Sequence, residues 1–202
     1  MQEKDKISAI KYWLGNGSIN LFGLPYAGKD TVGARLAEVL GAKLVSSGDI
    51  LREHHEKNQE SGSLTPTNLF LEIVLPYFHH ADLKGHPLIL SMIGRWHGEE
   101  EDTLMAAKES GHEVKAVLEL SLPESEVLKR WEASFELHDR DDRLDGTDRS
   151  IVQHRLNEYA DKVEPALEYY QELGLLSKVD ANQSRDEVFT AVIDKLHELS
   201  QK

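Results

Sequence analysis

The feature that most restricts how this chain can fold is Gly23-Leu24-Pro25-Tyr26-Ala27-Gly28-Lys29, a Gly-x4-Gly-Lys run between the apolar stretch Ile19 to Phe22 and an amphipathic one. An apolar strand, a glycine loop and a helix in that order make a phosphate cradle. Consecutive loop N–H groups point inward, the helix adds the positive end of its dipole, and the Lys29 ammonium reaches the β and γ phosphates of a nucleoside triphosphate. The residue after the lysine is usually Ser or Thr, whose hydroxyl helps hold magnesium. Here Asp30 stands in that place with Thr31 next to it, so a carboxylate or a hydroxyl can meet the ion.

The rest of the chain alternates short apolar runs with longer amphipathic stretches, which predicts an α/β fold with a parallel sheet covered by helices on both faces. Five strands are expected, at Ile19 to Gly23, Lys43 to Ser46, Pro87 to Met92, Val114 to Leu120 and Leu176 to Val179. Between them helices fit Lys29 to Leu40, Asp49 to Lys57, Thr67 to His80, Glu100 to Ser110, Glu124 to Phe135, Ser150 to Leu173 and Arg185 to Ser200. Gly41, Gly111 and Gly174 act as stop signals after three of them. The first 17 residues place Ile7, Ile10, Trp13 and Leu14 on one helical face, a helix that packs on the core surface or on a partner subunit. Gln59 to Pro66 and the charged run Glu136 to Arg149 interrupt the alternation as polar segments.

A length of 202 residues suits one domain rather than two. The net charge of -13 argues against broad binding to nucleic acid or an anionic membrane, since both demand a positive field. No stretch approaches the roughly 18 apolar residues of a membrane span. The charged start, Met1 to Lys6, leads into no secretory apolar run, and there is no cysteine; a cytoplasmic monomer is the expectation. The neighbouring pairs His54-His55 and His79-His80 point about 100 degrees apart on a helix and form no natural chelate, so no metal cage is expected apart from magnesium carried by the nucleotide.

From Ser18 to Leu196 the sequence resembles the adenylate kinase family. Gly23 to Thr31 is similar to that family's Gly-x-Pro-Gly-x-Gly-Lys-Gly-Thr, with Tyr26 in place of a loop glycine and Asp30 in place of the last. Ser46 to Arg52 resembles Thr-Gly-Asp-x-Leu-Arg, and Leu90 to Glu99 takes the place of Leu-Asp-Gly-Phe-Pro-Arg-Thr-x-x-Gln. Pro123 followed by Arg130, Arg143-Leu144-Asp145, and Ile151 to Tyr159 continue the likeness. The resemblance implies a three-layer P-loop fold of five parallel strands. It also implies a flap over the monophosphate at residues 48 to 80 and a short zinc-free lid at 136 to 149.

The same resemblance implies a nucleoside monophosphate kinase using ATP and Mg2+. It gives the ATP site to Gly23, Pro25, Tyr26, Ala27, Gly28, Lys29, Asp30, Thr31, Arg130 and Gln183. The monophosphate site falls to Ser47, Arg52, Ser63, Leu64, Thr65, Gly94, Arg95 and Glu99, and catalysis to Lys29, Arg95, Arg130, Arg155 and one of Arg140 and Arg143, which compete for one role. Six of the nine arginines thus gather where phosphates bind. Glu99 stands where the family's glutamine pairs with adenine. An ionised carboxylate only accepts hydrogen bonds, whereas guanine offers two adjacent donors, so GMP is a possible acceptor beside AMP. Ser91 replaces the family's magnesium-organising aspartate, and Ser134 its second arginine. These departures keep two alternatives open, a nucleotide sensor with degenerate catalysis and a small-metabolite kinase on the same fold.

Overall fold

The structure, a computed structural model, describes residues 2–54, 67–136 and 148–202. Strands β1 (Ser18–Gly23), β2 (Lys43–Ser46), β3 (Leu88–Ser91), β4 (Val114–Ser121) and β5 (Leu176–Asp180) form one parallel sheet in the order β2-β3-β1-β4-β5. β1 and β3 are buried along their whole length, because helices cover both faces; such strands read as continuous apolar runs. The chain builds the β3 side of β1 first and then crosses to β4. The crevice beyond the C-terminal ends of these central strands is therefore the switch point at which open α/β sheets bind ligands.

The period of two divides the core. Ile19 and Leu21 of β1, Ile89 of β3 and Ala116, Leu118 and Leu120 of β4 face one apolar cluster, while Phe22, Leu88, Leu90 and Val117 face the other. Over the first face lie α1 (Glu3–Leu14), α2 (Lys29–Leu40), α6 (Glu124–Glu136), α7 (Arg149–Glu158) and α9 (Arg185–Leu199). Over the second lie α3 (Ser47–His54), α4 (Thr67–Val74), α5 (Glu100–Glu109) and α8 (Glu164–Glu172). Ile10 and Leu14 of α1 are fully buried in the first cluster. An ion pair from Lys6 to Asp194 ties α1 to α9. Of the two places expected for the N-terminal helix, the core surface is the one it takes.

Two expected helices are broken, each by a proline. The segment from Thr67 stays α-helical only to Val74, and Leu75–His79 is a 3-10 turn, since Pro76 has no N–H to give the α ladder. The long helix expected from Ser150 to Leu173 is α7, a π turn at Tyr159–Val163, and α8. In that turn the Glu164 N–H donates to the Tyr159 carbonyl five residues back. Pro165 has no N–H for the Asp161 carbonyl and its ring would crowd that oxygen; the wider turn relieves both conflicts. Of the described helices, none is long and apolar enough to cross a membrane.

Candidate active site

β1 ends at Gly23 and α2 begins at Lys29, so the loop between them opens at the sheet's C-terminal edge. Lys29 Nζ donates to the carbonyls of Gly23 (2.7 Å) and Leu24 (2.9 Å), which folds the ammonium back over the loop. Tyr26 has a left-handed backbone, at φ 62°. That left-handed geometry costs a non-glycine residue about 1 kcal/mol. Its ring is buried in the first apolar cluster, and burial of this size offsets the strain.

The turn after β3 is held by three side chains from three elements. Ser47 Oγ at the start of α3 donates to the Met92 carbonyl (2.8 Å), Asn20 Nδ2 in β1 to the Ile93 carbonyl (2.6 Å), and the Tyr170 hydroxyl in α8 to the Gly94 carbonyl (3.0 Å). Three consecutive carbonyls are thus fixed and Arg95 follows them, so its backbone is set by buried groups rather than by solvent. Ser47, expected to grip phosphate, already uses its hydroxyl as a donor within this brace. Gly94 has φ +65°, and a Cβ there would lie 2.5 Å from the Tyr170 hydroxyl oxygen and 2.8 Å from Thr103 Oγ1. Gly94→Ala is accordingly expected to lower unfolding free energy by about 2–4 kcal/mol. Urea melts check this, and a loss below about 0.5 kcal/mol would mean the turn is not rigid.

Arg95 and Arg155 meet Lys29 beside the loop. One cleft has Gly23, Pro25, Lys29, Arg95, Arg155 and Glu158 in its wall. The adjoining one shares Lys29, Arg95 and Arg155 and extends to Asp30, Ser47 and Ser91. Burial lowers the Arg95 guanidinium to about 10, with Glu99 opposing, Arg155 adding repulsion and Glu158 opposing in turn. It stays charged at neutral pH. Three cations thus line one crevice, with the Glu158 carboxylate in the same wall, and a guanidinium group has the fork geometry that suits a phosphate.

Glu99 is only 1% exposed, and Glu99 Oε2 accepts from the Trp96 N–H at 3.2 Å. Burial raises its carboxyl to about 7, against the Trp96 N–H, the Arg95 charge, the Arg95 N–H and the Thr67 hydroxyl. The folded chain thus holds this proton to higher pH than the unfolded chain, whose value is near 4.5. Its contribution to stability is complete below that lower value and is lost as pH rises through about 7.

Arg130 donates to the Tyr26 carbonyl (3.3 Å) and the Ala181 carbonyl (2.6 Å), bridging the glycine loop to the turn after β5. Gln183, exposed, sits in that turn; its Nε2 donates to the Asp180 carbonyl at 3.4 Å. Thr31 and Asp30 are exposed at the first turn of α2, and Pro25, Ala27 and Gly28 complete the loop. Arg52 is in α3. Ser63, Leu64, Thr65, Arg140 and Arg143 lie outside the described residues. Asn20 was not among the expected site residues. Its signal was a polar residue inside an apolar strand buried on both faces.

No family model matches the chain. Individual proteins do. It is 32% identical to an adenylate kinase of Thermus thermophilus over 186 residues, which is 87% of this chain and 94% of the relative. An adenylate kinase of Mycobacterium leprae is 30% identical over 192 residues, 87% and 97% of the two chains. One of Micrococcus luteus is 27% identical over 188 residues, 88% and 89%. Similarity of this extent runs through most of the molecule rather than through one loop, on a P-loop sheet of the matching kind, and it makes the chain a member of the adenylate kinase family and a phosphotransferase.

Proposed function

We propose that the chain transfers the γ-phosphoryl group of ATP to a nucleoside monophosphate. A phosphate oxygen of the acceptor bonds to γ-phosphorus, the bond from that phosphorus to the β–γ bridging oxygen breaks, and ADP and a nucleoside diphosphate leave. The observation that carries this reading is the convergence of Lys29, Arg95 and Arg155 on one crevice beside the glycine loop of a molecule with net charge -13. Phosphoryl transfer asks a protein mainly for alignment and for positive charge around the oxygens. Lys29 takes the β and γ phosphates, Arg95 and Arg155 the groups being joined, and Arg130 the ATP side together with one of Arg140 and Arg143. Residues 48 to 80 and 136 to 149 act as the flaps that exclude water.

In this reading magnesium enters with ATP. The hard oxygens of Asp30 and Thr31 suit it. When bound, the ion neutralises charge between the β and γ phosphates. Asp30 lies in the wall of the same cleft as Ser91, so a carboxylate is supplied from α2 where the family's carboxylate after β3 is absent. That favours the kinase over the sensor reading.

For the acceptor base, Glu99 combines two forms. Protonated, the carboxyl offers one donor and one acceptor as a carboxamide does, which matches adenine; ionised, it only accepts, which matches guanine. Acceptor preference should then move from AMP towards GMP as pH rises through about 7, and Glu99→Gln should remove that pH dependence and favour AMP. The measurement is coupled ATP consumption with AMP, GMP, CMP, UMP and their deoxy forms across pH 6 to 8. A wild-type AMP to GMP ratio that stays flat sinks the base assignment, and tight binding without turnover of any acceptor sinks the kinase.

A further inference from the structure

Asn20 is a carboxamide in the middle of a strand buried on both faces. β1 runs between β3 and β4, with Asn20 opposite Leu90 on one side and Val117 on the other. The side chain is fully buried and takes the same face of the sheet as Phe22. An amide among apolar groups costs free energy unless its hydrogen bonds are made, and here both go to a single residue. Nδ2 donates to the Ile93 carbonyl at 2.6 Å, and Oδ1 accepts from the Ile93 N–H at 3.4 Å.

The residue it grips lies where the chain leaves β3. The β1–β3 register ends at Leu21 and Ser91, with the Met92 N–H on the Leu21 carbonyl at 3.0 Å. Beyond that bond Met92 and Gly94 both take a left-handed backbone, at φ 58° and 65°, which is unfavourable at Met92 because it carries a Cβ. Ile93, between them, is clasped at its N–H and its carbonyl by one amide, which stands in for the peptide group of a neighbouring strand. Arg95 follows two positions later, and on the other side Asn20 stands three positions before Gly23, whose carbonyl receives Lys29 Nζ at 2.7 Å. The clasp therefore joins the strand that leads into the glycine loop to the turn that carries Arg95. Lys29 and Arg95 in turn line the same two adjoining clefts.

We infer that Asn20 is a positioning residue for phosphoryl transfer: its amide pins the Arg95 turn to the strand that carries the glycine loop and so fixes the spacing between Lys29 and Arg95. This rests on the kinase reading of the same crevice. The apolar surroundings would accept a leucine, but only an amide can hold both backbone groups of Ile93 in a strained turn. Transfer between two bound nucleotides depends on such spacing, since a misplacement of about 1 Å can cost about 10²-fold in rate.

The test is steady-state kinetics for both nucleotides, with thermal melts, on the full chain. Asn20→Leu keeps the bulk of the side chain and removes both hydrogen bonds. It should lower kcat about 10- to 100-fold and leave the KM for ATP within about twofold, because the glycine loop itself is untouched. Asn20→Ala cannot overpack the sheet and should show the same split, which keeps the test open if the leucine disturbs the core. In an Arg95→Met background Asn20→Leu should cost no more than about a further twofold, since the charge it positions is gone. Ile10→Ala, a core truncation in α1, is the control for destabilisation alone and should leave kcat within about twofold below its melting temperature. A kcat within twofold of wild type in both folded Asn20 variants overturns the inference. So does a loss that adds in full to that of Arg95→Met, or one that Ile10→Ala reproduces at an equal drop in melting temperature. Each of those results, with an active wild type, leaves the kinase reading standing. A wild type that phosphorylates no monophosphate overturns that reading and this inference with it.

Discussion

Replacement of Lys29 by Met is expected to lower kcat/KM for phosphoryl transfer about 10³-fold, the scale of removing a pre-aimed cationic donor from such a site. The side chain is held at the loop by the Gly23 and Leu24 carbonyls, 2.7 and 2.9 Å from Nζ. In the proposed role the ammonium exchanges these neutral acceptors for charged phosphate oxygens of ATP, a stronger pairing. Met preserves the length and the apolar stem but offers no donor. Gly23 and Leu24 each line a cleft, where their carbonyls can bond to water instead, so the fold should lose no more than about 1 kcal/mol. Turnover assays and denaturant melts on one preparation separate the two effects. A variant within tenfold of wild-type kcat/KM would remove Lys29 from the phosphate site.

Arg95→Met carries the second large effect, a fall of about 10²- to 10³-fold in kcat/KM. The backbone that carries Arg95 is held by the brace of Ser47, Asn20 and Tyr170 on the three carbonyls before it, so the substitution should remove the charge without moving the turn. Burial takes Arg95 only down to about 10, and the wild-type residue therefore stays protonated throughout pH 6 to 8. Any pH dependence of turnover in that range comes from other groups. Arg95→Lys should recover only part of the activity, because an ammonium cannot make the two parallel bonds of the fork. The charge also holds Glu99 down, so in Arg95→Met that carboxyl should titrate above about 7, readable by NMR. Full activity in Arg95→Met, or an unmoved Glu99 titration, would contradict the assignment.

The strands were legible because a strand covered on both faces must be apolar, as β1 and β3 are along their whole length, and because the short runs at the sheet's edges keep the βα alternation. Their ends were less so. Pro87 to Met92 shortens to Leu88–Ser91, since Met92 turns out of the strand at φ 58°. Pro76 and Pro165 were visible as residues, but whether a proline ends a helix, tightens it or widens it depends on what the neighbouring carbonyls must pack against.

Sequence alone determined the glycine loop between strand and helix and the parallel sheet that carries it, because these follow from glycine spacing and from hydrophobic period, and it singled out a few arginines in an acidic chain as the cations to place. The tertiary structure decided which groups meet. Asn20, Ser47 and Tyr170 reach one turn from three elements, and Lys162 reaches Trp96 across 66 positions. It also decided the state of Glu99, which is an ordinary surface acid by composition and a buried one, raised to about 7, by packing. Hydrogen bonds and desolvation act over a few ångströms and depend on what folding brings together, so no reading of local pattern contains them.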